Sequence, residues 1–178
     1  MDHPEMISNL ITLDSIPIWE SLSRCDAGFA AAWWHWFFFA QPDKPERAIL
    51  ADPDAWYGGS AVAMGPQNFN DYRAAIHDPA TVIGMLDDYR AALHSDVEMD
   101  AIDRKEGRLI ACRTLVLWSL RDDLQKLHGD ILKIWRGWAP RLESYGIDSG
   151  HHVAEEAPDA LATALLRFLD GASGSERT

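Results

Sequence analysis

Three short β-prone runs lie far apart in this sequence, separated by helix-forming segments, and that order limits the fold more than any other feature. The first is Asn9-Leu-Ile-Thr-Leu13, ending in Asp14 and turned by Ser15-Ile-Pro17. It reads as a buried strand with a carboxylate at its C-terminal end. The second is Thr114-Leu-Val-Leu-Trp118, followed by a polar loop over 119–123; the third runs from Arg141 to Gly146 and leads into Asp148-Ser-Gly-His151. Strands joined through helices pair in parallel, and ligands of such sheets bind at the strands' C-terminal ends. Asp14, Asp122 and His151 each fall just after a predicted strand, so one end of one sheet gathers three titratable groups. The fold class expected is α/β.

The remaining segments are read as helices and loops. One helix is expected from Ile18 to about Phe39, stopped by Pro42 and Pro45. Two more cover 67–77 and 79–93, the second with Val82, Leu86, Tyr89 and Leu93 on one apolar face. A helix over Leu127 to Trp138 buries Ile131, Ile134, Trp135 and Trp138. The last opens at Pro158, aligns Leu161, Leu165, Phe168 and Leu169, and is capped by Gly171 before a disordered tail. The Gly- and Pro-rich stretch from Asp52 to Pro66 is mostly loop, and 95–108 is charged and turn-like.

Composition removes several classes of function. With 16 Lys and Arg against 28 Asp and Glu, the net charge of −12 disfavours a nucleic-acid partner, whose phosphates need a basic face. No apolar run approaches the ~18 residues of a membrane span, and MDHPEMISNL lacks the basic start of a secretory signal. Cys25 and Cys112 form no C-x-x-C pair, which fits a reduced, cytoplasmic setting.

His151 is the best single candidate for chemistry. Beside Asp14 or Asp122 it can act as a general base oriented by a carboxylate. A solvated loop histidine and turn- or helix-capping aspartates are the plain alternatives. His151-His152 has no acidic or Cys partner at ligand spacing, so no metal is expected. The run Trp33-Trp-His-Trp-Phe-Phe-Phe39 reads as aromatic core, yet His35 and Trp36 carry ring N–H groups that need partners when buried. A dry pocket lined by those donors, with the Tyr89 O–H added, suits a small anion. No serine or aspartate is expected on a strand–Gly-turn–helix frame that would present it as a nucleophile, and no Gly-rich phosphate loop is present, so no cofactor is implied.

Four blocks together resemble the haloacetate dehalogenases, α/β-hydrolases that include the fluoroacetate dehalogenases. They are Leu13-Asp14-Ser-Ile-Pro17, His35-Trp36-Phe-Phe-Phe-Ala-Gln-Pro42, Met85-Leu-Asp-Asp-Tyr89-Arg-Ala91 and Ser149-Gly-His151-His-Val-Ala-Glu-Glu-Ala-Pro158. The resemblance runs in order through almost the whole chain. It implies a partial α/β-hydrolase fold: a core strand and triad-acid turn over 1–17, a helical cap over 18–108, and the last strands with the catalytic His over 109–171. The tail is 172–178.

By the same resemblance, an Asp nucleophile displaces halide from a 2-haloacid and leaves an ester on the enzyme. His151 activates the water that hydrolyses it, Asp14 holds His151, and His35, Trp36 and Tyr89 bind the departing halide; Asp122 is the second choice for the acid. The nucleophile, its neighbouring arginines and the first five strands are expected upstream of Met1, which resembles an internal residue of the helix after the nucleophile. The stretch from Gly58 to Met64 is shorter than the family pattern, and a tryptophan-bearing entrance helix is missing. The isolated chain is therefore expected to be inactive, with an open sheet edge that pairs with a separate N-terminal half or with itself. An epoxide hydrolase is the alternative enzyme, and a gene remnant or interaction module the non-catalytic one. His35-Trp36 favours halide, since it offers N–H donors in place of a second phenol.

Overall fold

The computed structural model describes residues 3–173. The expectations for Met1 and for the tail from residue 174 lie outside the described residues. Two compact units are present: Met1–Ile16 with Asp103–Thr178, and Pro17–Ile102.

The first unit holds a three-stranded parallel sheet in the order β1 (Asn9–Leu13), β2 (Arg113–Ser119), β3 (Leu142–Ile147). Leu10 pairs with Thr114 and Leu13 with Leu117; Thr114 pairs with Leu142 and Ser119 with Ile147. Central β2 has Thr114, Leu115, Val116 and Leu117 fully buried, as a parallel strand covered on both faces requires. Edge strand β1 leaves Ile11 and Leu13 partly exposed. Leu115, Leu117 and Ile147 pack with Val153 and Phe168 into one core, flanked by Leu161 and Leu165. Leu169, expected on the same helix face, is 43% exposed, one step past the i, i+4, i+7 stripe of 161, 165 and 168.

Helices of this unit differ from expectation in detail. Leu127 to Trp138 is not one helix but α10 (Leu124–His128) and α11 (Ile131–Arg136). Gly129, at φ 77°, ends the first, and Asp130 caps the second by accepting the Lys133 N–H. The four side chains expected to be buried there, Ile131, Ile134, Trp135 and Trp138, are buried. After β3 come α12 (Val153–Glu156) and α13 (Pro158–Ser173); the latter runs through Gly171, which therefore does not cap it.

The second unit is helical. The single helix expected over 18–39 is three: α1 (Ile18–Ser23), α2 (Ala27–Ala32) and α3 (Trp34–Phe39). Asp26 starts α2 by accepting the Phe29 N–H, and Trp33 lies between α2 and α3 in a non-helical conformation. Pro45 opens rather than blocks α4 (Lys44–Ala51), because proline's missing N–H is no loss in a first turn. The expected loop contains two short helices, α5 (Pro53–Trp56) and α6 (Ala61–Met64), followed by α7 (Pro66–Ile76) and α8 (Pro79–Ala91).

A π-helical turn, Ala92–Asp96, then leads into α9 (Val97–Glu106), where a turn-like stretch was expected. Acidic Glu98 and Asp100 sit in the first turn of α9 and basic Arg104 and Lys105 in the last. That charge order favours the helix dipole, so this charged segment is helical. Ile49, Val82 and Leu86 are fully buried and, with Phe39, form the core of this unit. No helix among the described residues is long and apolar enough to cross a membrane.

Candidate active site

Each strand of the sheet delivers one residue to the same place. Asp14 follows β1 in the left-handed region, at φ 51°, where Asp is better tolerated than most side chains. Its N–H donates to the Leu117 carbonyl at 2.8 Å and extends the ladder by one bond. Its side chain accepts the Ser119 N–H on Oδ1 at 2.9 Å, while Oδ2 lies 3.1 Å from His151 Nδ1. Asp122, from the loop after β2, places Oδ2 2.7 Å from the same Nδ1. One imidazole nitrogen thus faces two carboxylates.

The His151 loop is held from below by Glu156 on α12, whose Oε2 accepts the Gly150 N–H at 2.8 Å. A Cβ on Gly150 would lie 2.7 Å from Glu156 Oε1, so a larger residue there would displace that carboxylate. Arg121 reaches across the loop, with Nε 3.3 Å from Asp148 Oδ1 and Nη2 3.7 Å from Glu156 Oε2.

The electrostatics follow from this geometry. The hydrogen bond to Asp14 raises the His151 pKa to about 9; desolvation opposes it, and the charge of Asp122 adds to it. Burial pushes the Asp14 carboxyl up, but hydrogen bonds from His151 and the Ser119 N–H outweigh it and leave Asp14 below the ordinary carboxylate range. The Asp14 side chain is 4% exposed and that of Asp122 27%, whereas the His151 ring is 69% exposed. Both hydrogen bonds of His151 use Nδ1, which leaves Nε2 for a reactant. Donor atoms of Asp14, Asp122 and His151 lie within 4.8 Å of one another, the spacing a cation also needs. The sequence spacing behind the no-metal expectation did not show this convergence of residues from three strand ends.

His35, Trp36 and Tyr89 meet inside the helical unit. The Tyr89 ring, on α8, stands edge-on to three rings of α3: His35 at 5.9 Å and 82°, Trp36 at 5.9 Å and 76°, and Phe39 at 5.1 Å and 74° between centroids and planes. Positions 35, 36 and 39 share a helix face, which is why one α8 side chain reaches all three. Arg90, next to Tyr89, fixes the pair by donating to the Gln41 carbonyl just past α3 and pairing with Glu46 on α4. Burial pushes the Tyr89 phenol above its ordinary pKa, with Asp88 and Tyr57 adding to it, so it remains an O–H donor. Among the described residues, neither the Tyr89 O–H nor the Trp36 indole N–H has a hydrogen-bond acceptor.

Sequence reasoning missed Ser119. It is 1% exposed at the last position of β2 and bonds to all three strand-end segments. The only available signal was a serine among apolar neighbours at a strand end.

The chain is 34% identical to a fluoroacetate dehalogenase from a Burkholderia species, an alignment covering all of this chain and 61% of that protein. No family model matches the chain. Among solved structures, a Nostoc protein assigned as an α/β hydrolase superposes with a TM-score of 0.85 at 34% identity, over 94% of this chain and 60% of its own. A Pseudomonas aeruginosa protein assigned as an epoxide hydrolase gives 0.85 at 36%, over 96% and 59%. The chain thus spans about three-fifths of the length of these relatives. By sequence across its whole length and by its parallel sheet, the chain belongs to the α/β-hydrolase superfamily and resembles the C-terminal part of its haloacetate (fluoroacetate) dehalogenases.

Proposed function

We propose that this chain carries the general base and the halide donors of a haloacetate dehalogenase. The observation that carries the reading is the His151 imidazole, anchored through Nδ1 to two carboxylates with Nε2 unused. In the proposed reaction a carboxylate nucleophile attacks the carbon bearing the halogen. The carbon–halogen bond breaks, halide leaves with the bonding pair, and an ester forms. His151 Nε2 then takes a proton from water as its oxygen adds to the ester carbonyl, and collapse releases the hydroxy acid and restores the nucleophile. Asp14 holds the imidazole and balances its charge, with Asp122 as second acceptor. His35, Trp36 and Tyr89 donate to the departing halide, which matters most for fluoride, a poor leaving group and a strong acceptor.

The nucleophile is proposed to come from a segment outside these 178 residues, since their G-x-D-x-G string, Gly146-Ile-Asp148-Ser-Gly150, ends β3 just ahead of His151 and its Asp148 pairs with Arg121. The open edge of β1 is the pairing position proposed for that segment's sheet. The test is halide release from fluoroacetate and chloroacetate by the chain alone and with the N-terminal half of a dehalogenase relative. Turnover only in the mixture supports the reading; silence in both, from folded chains, supports a binding module or remnant. The likeness to the Pseudomonas aeruginosa protein favours one second reading, epoxide opening. Diol formation from an epoxide in the same mixture, without halide release, would select it.

A further inference from the structure

We infer that Ser119 is a positioning residue that fixes His151 and both of its carboxylates to the end of β2. The inference rests on the reading of His151 as a general base. The Ser119 backbone N–H donates to Asp14 Oδ1 at 2.9 Å, which sets the carboxylate that follows β1. Its hydroxyl donates to the Ser149 carbonyl, two residues before His151, which sets the loop that follows β3. The same oxygen accepts the N–H of Asp122 at 3.1 Å and of Arg121 at 3.2 Å, which sets the loop that follows β2. One donated and two accepted bonds use the full capacity of a hydroxyl. At 1% exposure the residue is closed off from solvent, so these bonds are made within the protein. The residue touches no reacting atom in the proposed chemistry; it acts through the placement of those that do.

Alanine at 119 keeps the backbone bond to Asp14 and removes only the hydroxyl. It removes the bonds of the hydroxyl to the Ser149 carbonyl and the Asp122 N–H, so the His151 and Asp122 loops lose their shared anchor on β2, while the Arg121 N–H keeps the Ser149 carbonyl as acceptor at 3.1 Å. That variant removes none of the charged and titratable groups around His151: Asp14, Asp122, Arg121, Asp148, Glu156 and the neighbouring His152, whose ring centroid is 5.7 Å away. A change in His151 titration therefore reports lost placement rather than lost charge.

The test is a pH titration of the 178-residue chain labelled with ¹⁵N-histidine, followed by NMR, with amide dispersion as the folding control. Wild type should show His151 titrating near 9. Ser119→Ala should lower that midpoint by about one unit, roughly a tenfold loss of proton affinity, and Ser119→Thr, which keeps the hydroxyl, should restore it. If Ser119→Ala fails to fold, the wild-type Ser119 hydroxyl proton decides: slow exchange with a cross-peak to the Asp122 amide supports the inference. A folded Ser119→Ala titrating like wild type overturns it, as does Ser119→Thr shifting as far as alanine, or a wild-type hydroxyl exchanging like that of a surface serine. None of these readouts needs turnover. Loss of the dehalogenase reading would show instead as the absence of halide release with the titration shifts intact.

Discussion

Asp14 and Asp122 approach the same nitrogen but are held differently. Asp14 is nearly buried, turned by a left-handed backbone and anchored on Oδ1 by the Ser119 N–H; Asp122 is closer to His151 yet more exposed. Asn tolerates the left-handed conformation as Asp does, so Asp14→Asn tests charge and tautomer rather than fold. It should lower the activity of the complemented enzyme on the order of 10³–10⁴-fold, the scale seen when a triad acid is neutralised, and Asp122→Asn should cost far less. Equal losses, or the reverse order, in steady-state kinetics would move the orienting role to Asp122.

Proton linkage gives a second prediction at this scale. His151 titrates at about 9 in the folded chain against an unfolded value near 6.5, so its contribution to stability is full below about 6.5 and is lost as pH rises through about 9. Asp14, lowered from 3.8, contributes above that value and loses its contribution as pH falls through its folded pKa. Denaturation midpoints of wild type should therefore fall between pH 6.5 and 9, and His151→Gln should flatten that limb. A base with a pKa near 9 is neutral in only about 1% of molecules at pH 7. Ester hydrolysis should accordingly speed up with pH towards 9, and Asp122→Asn should move that limb to lower pH.

At the level of elements, α3 and α8 form one aromatic layer whose order depends on the core beneath it. Leu86 is fully buried one turn before Tyr89 on α8, so Leu86→Ala should destabilise the chain by about 2–5 kcal/mol, read from the denaturant midpoint at unchanged slope. Tyr89→Phe keeps the ring contacts with His35, Trp36 and Phe39 and removes only the O–H. In the complemented enzyme it should slow defluorination more than debromination; equal effects on both halides would argue against a halide role.

The elements also show what could be read in advance. The Val82, Leu86, Tyr89 stripe identified the inward face of α8 because packing repeats every three to four residues. The division of 18–39 into three helices was hidden, since it depends on Asp26 capping α2 and on the conformation of Trp33. Residues 95–108 misled because their charges, which suggest a turn, are ordered to favour a helix.

Across the whole chain, the parallel α/β plan was legible because the β-prone runs at 9–13 and 114–118 are bounded by turn residues and separated by helix-forming segments. The gathering of Asp14, Asp122 and His151 was legible for the same reason: all three follow strands of one sheet. Ser119 was not, because its bonds depend on β1 and β3 flanking β2 in register, a relation between residues 105 and 30 positions apart. The central claim is that His151 resolves a covalent ester. Its most direct test is intact-mass spectrometry of a His151→Ala chain, complemented with a nucleophile-bearing half and exposed to fluoroacetate. The adduct on that half is predicted to persist after substrate is removed; clearance at the wild-type rate would contradict the assignment.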